Sequence, residues 1–220
     1  MLRDRAVVGG LVLGVLAGGA GLTGCGGSGY QFVENEDLGV YAKLPDDWAI
    51  YDEEDLVTTG VDDELTAEEI ERLTAGTWYR GFDSRDDPSV QFDPTGDAPS
   101  GFVRVRQLTP SLREQANLTL LRMLPTEGLI PISVTEATPG VQVVTDEPVE
   151  FDGGYHGVHT VVALDQGEAV AMLDQTVLLD STSSTAYMFM VGCDRECYLD
   201  THGDEIEDLV ASWTIQEDGR

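Results

Sequence analysis

The chain has 220 residues, with 41 acidic against 12 basic side chains and a formal charge of −29. Its length and its 41 % apolar content suit one domain with a sizeable core, so the charge does not mark disorder. The acidity excludes nucleic acid as a partner, because phosphate would be repelled, and it argues equally against charge-driven docking on anionic lipid headgroups.

Residues 1–24 read as an export signal. Arg3 and Arg5 give a positive start, residues 6–22 are apolar or glycine without charge, and small residues precede Cys25. The apolar run is 17 residues, six of them glycine. That is at the short limit for a bilayer span and makes a poor permanent helix. Leu22-Thr23-Gly24-Cys25 resembles the lipobox of bacterial lipoproteins. The resemblance implies a cut before Cys25, lipid (a diacylglycerol, palmitate among its chains) on the Cys25 sulfur, and a domain held on the outer side of the cell membrane. Two acyl chains suffice for stable anchoring, where one is marginal. An ordinary signal with a chance cysteine, or an uncleaved anchor, are the alternatives. Residues 25–37 are expected to form the lipidated start and a tether, opened by Gly26-Gly27-Ser28-Gly29.

Removal of residues 1–24 leaves 196 residues with 10 basic and 40 acidic side chains, and Lys43 is the only lysine. Such acidity reads either as an adaptation to salt or genome composition, or as a functional face for cations. The acids are spread along the chain, which favours the first.

A single α+β domain is expected over 38–216, with a disordered tail at 217–220. Residues 40–44 alternate into the turn Pro45-Asp46-Asp47, and Trp48-Ala49-Ile50-Tyr51 resumes as a second short strand. Thr66 with Glu69 has the form of a capping box for a short helix that ends near Gly76. Residues 77–82 are β-rich and aromatic. The stretch 83–101 has three prolines and no apolar period, and is expected to be a long acidic loop. Phe102-Val103-Arg104-Val105-Arg106 alternates as a half-buried strand, and Ser111 with Glu114 opens a helix expected to run to Leu124. Strands follow at 132–137, 141–144, 149–151, 155–164, 169–179 and 185–192, with hairpin signals at Asp152-Gly153-Gly154 and Asp165-Gln166-Gly167. Ile206, Leu209, Val210 and Trp213 mark a closing helix capped by Thr201 and Asp204, with 213–215 as a short final strand.

The order of elements, with Leu44-Pro45-Asp46-Asp47-Trp48 near its start and Ser212-Trp213-Thr214-Ile215 near its end, resembles the PsbP/Mog1-like group of small domains, which includes many actinobacterial envelope lipoproteins. The resemblance implies an antiparallel sheet flanked by helices, an α/β/α sandwich, and a binding or accessory role without catalysis.

Cys193 and Cys197 are the two cysteines beyond Cys25. In an oxidising compartment they are expected to form a disulfide, with a metal pair or a redox switch as alternatives. His156 and His159 are three apart in one strand, so they fall on opposite faces and share no metal unless a bulge intervenes. His202 is expected to cap a helix or to be solvated. The sequence has no Gly-x-Ser-x-Gly elbow, no His-Glu-x-x-His, no phosphate loop and no dinucleotide fingerprint, so no catalytic residue, metal or cofactor is assigned. Trp48, Tyr51, Trp78, Tyr79, Phe82 and Phe92 read as core packing or, alternatively, as a recognition surface. The function expected is a membrane-anchored extracytoplasmic binding module, taking an envelope protein or small ligand through the face near 83–101. A cell-envelope hydrolase using the carboxylates and the histidine strand, and a structural or stress-related surface protein, are the alternatives.

Overall fold

The computed structural model describes residues 29–59, 65–127, 130, 132–133 and 136–216. Cys25, the signal segment and the 217–220 tail lie outside them. Among the described residues, ten strands and five α-helices follow in the order β1 (Tyr30–Asn35), β2 (Val40–Pro45), β3 (Ala49–Asp52), α1 (Glu53–Thr58), α2 (Ala67–Thr74), β4 (Thr77–Asp83), β5 (Ser100–Gln107), α3 (Pro110–Glu114), α4 (Leu118–Met123), β6 (Val141–Phe151), β7 (Tyr155–Asp165), β8 (Val170–Leu179), β9 (Thr185–Asp194), α5 (Gly203–Ser212) and β10 (Thr214–Ile215). A π-helical turn, Cys197–Thr201, joins β9 to α5.

The strands form an antiparallel seven-stranded sheet, β3-β4-β5-β9-β8-β7-β6, and a three-stranded sheet, β1-β2-β10. Both faces of the large sheet are covered, which is why β8 and β9 are apolar almost throughout rather than alternating. Odd residues of β9, from Tyr187 to Cys193, join Leu44, Trp48, Phe82, Ile206, Leu209 and Trp213 in a core beneath the small sheet and α5. Even residues Ala186 and Met188 meet Leu121 and Leu124 of the α3–α4 side. The result is the expected α+β sandwich, with one outer layer part sheet and part helix. The two end motifs meet in space, since β10 pairs with β2 and the Lys43 amide donates to Ser212 Oγ at 2.9 Å.

Several boundaries differ from expectation. Within the tether expected over 25–37, Tyr30–Asn35 is a strand that pairs with β2 along its whole length. Glu53–Thr58 is helical because Asp52 and Asp55 form a capping box in a stretch that reads as acidic loop. The helix expected from Ser111 is two helices. Thr109 caps the first, with Pro110 in its first turn, and Asn117 caps the second. Residues 141–151 are one strand with a bulge between Val143 and Thr145, rather than two. The described residues of 132–137 are not a strand, although Ile132 is buried. Thr201 lies inside the π-helical turn, so it does not cap α5. His202 occupies the cap position without a side-chain cap bond.

Gly157 marks a point where β7 and β8 approach closely. A Cβ there would lie 1.8 Å from the Val177 carbonyl oxygen, which is backbone and cannot swing away. Gly157→Ala is expected to destabilise by about 1–3 kcal/mol, as overpacking does. A urea midpoint within error of the parent would refute this.

Candidate functional site

The meander places a histidine and an acid on one face of the sheet. In the β7–β8 pairing His159 stands opposite Thr176, so Asp174 is its diagonal neighbour on the same face. His159 Nε2 and Asp174 Oδ1 are 2.8 Å apart. From the π-helical turn, the Tyr198 hydroxyl donates to Asp174 Oδ2, also at 2.8 Å. Asp174 is 5 % exposed, so its charge is held almost out of water and depends on these two donors. Glu147 of β6 stands opposite His159 on the other side.

The turn that carries Tyr198 is held at two points. Cys193 and Cys197 lie at disulfide distance, with Cα atoms 6.0 Å apart, and the Cys197 amide donates to Asp194 Oδ1 at 2.8 Å. Changing both cysteines to serine is expected to cost about 2 kcal/mol by loop-closure entropy. Equal urea midpoints for the parent and the double variant would show that no bridge stabilises the turn.

Hydrogen bonding to Asp174 raises the His159 pKa. Burial opposes this, while the charges of Asp174 and Glu147 add to it. Burial, then Asp174, pushes the Tyr198 phenol upward, so it stays protonated as a donor. Because the His159 value is higher in the folded than in the unfolded chain, its contribution to stability is full below about pH 6.5, the ordinary histidine value. That contribution is lost as pH rises through the folded value. Urea midpoints should therefore carry a component that falls with rising pH in the parent and is absent from His159→Gln. Parallel pH profiles for the two proteins would contradict the assignment.

These three side chains stand at one end of a cleft of about 500 Å³ beneath α5. Leu199, Ile206, Val210 and Ala211 give it apolar walls, and Asp204 and Glu207 of α5 also line it. None of its described lining residues is Lys, Arg, Ser, Thr or Cys. A second cleft of about 450 Å³ flanks the other side of α5, where Lys43 Nζ lies 3.5 Å over the Tyr30 ring.

The other sequence candidates separate. His156 is exposed on the opposite face from His159, and His202 Nδ1 lies 2.7 Å from Glu205 Oε2. Among the described residues no group of three or more His, Cys, Asp or Glu is placed to hold a metal ion. The acidic loop, now residues 84–99, is drawn onto the domain. Asp83, fully buried at the end of β4, binds the Arg85 guanidinium and the Ser89 amide, and Phe92 packs edge-on against Phe102. Trp48 and Phe82 are core residues, 5.9 Å apart. Asp174 and Tyr198 were not sequence candidates. The signal for Asp174 is the polar run Asp174-Gln175-Thr176 inside an otherwise apolar strand, and the turn at Asp165-Gln166-Gly167 fixes which residues it meets.

No family model matches the sequence, and no curated protein is significantly similar to it. Among solved structures it is similar to cyanobacterial PsbP (CyanoP) from Synechocystis, with a TM-score of 0.45 and 15 % identity over 89 % of this chain and 99 % of that one. It is also similar to the Ran-binding protein Mog1p of Saccharomyces cerevisiae, with a TM-score of 0.44 and 9 % identity over 84 % of this chain and 95 % of that one. The likeness is in antiparallel sheets flanked by a few helices, and no ligand or partner is carried over from it.

Proposed function

We propose that this chain is a lipid-anchored extracytoplasmic binding module of a bacterial cell envelope, and that it takes its ligand in the cleft beneath α5. The observation that carries the reading is the walled cleft with Asp174 held by His159 and Tyr198 at its base. A histidine–carboxylate pair could serve a hydrolase as a base. Covalent acyl transfer also needs a hydroxyl or thiol within reach of that base, and the described lining offers none but the Tyr198 phenol, which is committed to Asp174. Binding is therefore favoured over hydrolysis through a covalent acyl-enzyme.

The address rests on the sequence alone. The segment ending at Cys25 supports export and lipidation, and an oxidising compartment agrees with the placement of Cys193 and Cys197. Intact mass of the protein from a lipoprotein-processing host tests it. The expected mature chain starts at Cys25, carries added lipid and lacks two hydrogens at the cysteine pair, and Cys25→Ala leaves the membrane fraction. A Cys25→Ala protein that stayed membrane-bound would sink the anchor. For the binding reading, ligands that raise the thermal midpoint of the parent should lose this effect in Leu199→Trp, which adds bulk to the wall of this cleft and leaves the second untouched. An equal effect in both proteins would remove the cleft from consideration.

A further inference from the structure

A cleft with a buried carboxylate at its base sorts ligands by charge. Asp174 offers about four lone-pair positions, and the His159 ring and the Tyr198 hydroxyl occupy two. Every charged group near His159 other than the imidazole itself is an acid: Asp174 on β8, Glu147 on β6, and Asp204 and Glu207 on α5. The walls from Leu199, Ile206 and Val210 are apolar. Resting on the binding reading above, we propose that the ligand of this cleft is a small organic cation, an alkyl- or quaternary ammonium, which enters in exchange for the proton on His159.

The chemistry selects this class over its rivals. A carboxylate or phosphate would meet four acids without a lysine or arginine among the described lining residues. A divalent metal asks for several oxygen donors at once, and no cluster of three is assembled among the described residues. An ammonium needs only the unfilled side of Asp174 and the field of Asp204 and Glu207, while its alkyl groups meet the apolar walls.

When His159 is protonated, its charge neutralises Asp174. An arriving cation therefore competes with that proton, which leaves to solvent. The neutral imidazole keeps its hydrogen on Nε2 and still donates to Asp174. One positive charge enters and one departs, so the charge of the cleft is unchanged. The bond to Asp174, which raises the His159 pKa, holds the proton that the cation displaces.

The test uses the full mature protein in detergent micelles, with histidine carbon and nitrogen resonances read from pH 5 to 9, a window on the order of two units either side of neutral. Tetramethylammonium and butylammonium chloride are the probes, at ionic strength matched with sodium chloride. Sodium acetate and glycerol are the comparators. The expected result is that the ammonium ions shift the His159 resonances and lower its pKa by about one unit. Their affinity should fall about tenfold in total as the pH drops through that pKa, by linkage. Glu207→Lys, an exposed change on α5 that spares the fold, should weaken them about tenfold. If acetate or glycerol shifts His159 and the ammonium ions do not, the cation proposal falls while the cleft stands as a binding site. Ammonium binding that leaves the His159 pKa unchanged, or that Glu207→Lys does not weaken, also overturns it. If no probe moves His159, this assignment of the cleft fails together with the proposal.

Discussion

Replacing Arg85 with alanine is expected to destabilise the domain by about 3–5 kcal/mol at neutral pH, because it strands a buried carboxylate. Asp83 has no exposed surface at the end of β4, between Ala49 of β3 and Ser100 of β5. Its oxygens accept from Arg85 Nε at 3.0 and 2.9 Å, from Arg85 Nη2 at 2.6 Å, and from the amides of Arg85 at 3.0 Å and Ser89 at 2.7 Å. Burial alone would raise the Asp83 pKa. The guanidinium and the two amides outweigh it and hold the carboxyl below the usual range. A group lowered on folding contributes stability above its unfolded value, about 3.9 for Asp, and loses it as pH falls through the folded value. Without Arg85, burial dominates and protonation of Asp83 relieves the variant. The gap between parent and Arg85→Ala should therefore be widest near neutral pH and narrow toward acid. Arg85→Lys should recover only part of the loss, since an ammonium lacks the planar fork. A loss below about 1 kcal/mol, or a gap independent of pH, would show that Asp83 is satisfied without its partner.

Trp213→Ala is expected to cost a similar amount, about 3–5 kcal/mol, through a different cause. Trp213 is 4 % exposed, with ring centroids 5.6 Å from Phe151 and 5.7 Å from Phe189. It fills the space where α5, β6 and β9 converge, and alanine would leave a cavity that three rigid elements cannot close. Its indole Nε1 is buried with no hydrogen-bond partner among the described residues. Trp213→Phe removes that unsatisfied donor along with part of the ring, so the two effects oppose each other. The phenylalanine variant should lose less than half of what the alanine variant loses. Urea midpoints at a common slope would compare them, and equal losses would mean the indole nitrogen is not a burden in the parent. A domain with about 5–15 kcal/mol in total would be left marginal by either the Arg85 or the Trp213 alanine change.

The sequence makes some parts of this fold plain and hides others for physical reasons. The strands β7, β8 and β9 are legible because long β-rich runs are separated by turn residues, Gly153-Gly154, Gly167 and the Asp-Ser-Thr-Ser-Ser run from Asp180, and α5 is legible from the spacing of Ile206, Leu209 and Trp213. Tyr30–Asn35 is hidden because a six-residue edge strand with one buried side chain, Val33, resembles the tether before it. The break between α3 and α4 is hidden because Leu112, Ala116 and Leu120 also fit one helical stripe, whereas Asn117 caps a new helix instead of continuing the old one. At the candidate site His159 stood out by type alone. Its partner Asp174 lies 15 positions away, and Tyr198, which binds Asp174, lies 39 away; they come together only once β7 pairs with β8 and the π-helical turn folds back. The anchoring of the acidic loop is hidden, since Asp83 and Arg85 are two apart and read as ordinary loop charges while binding each other.

Under the lipid anchor proposed above, one edge of the large sheet has a consequence for life on a surface. Proteins tethered to a membrane are confined to two dimensions, where copies collide often and in similar orientations. An open strand edge then invites one copy to add to the next, the first step toward fibrils. Here that edge is β6, and three features make it a poor template. Pro148 offers no amide hydrogen, the bulge after Val143 breaks the repeat, and exposed Glu147 and Glu150 add like charge that a second copy would have to meet. A crowded layer of these domains should thus remain a layer of separate molecules.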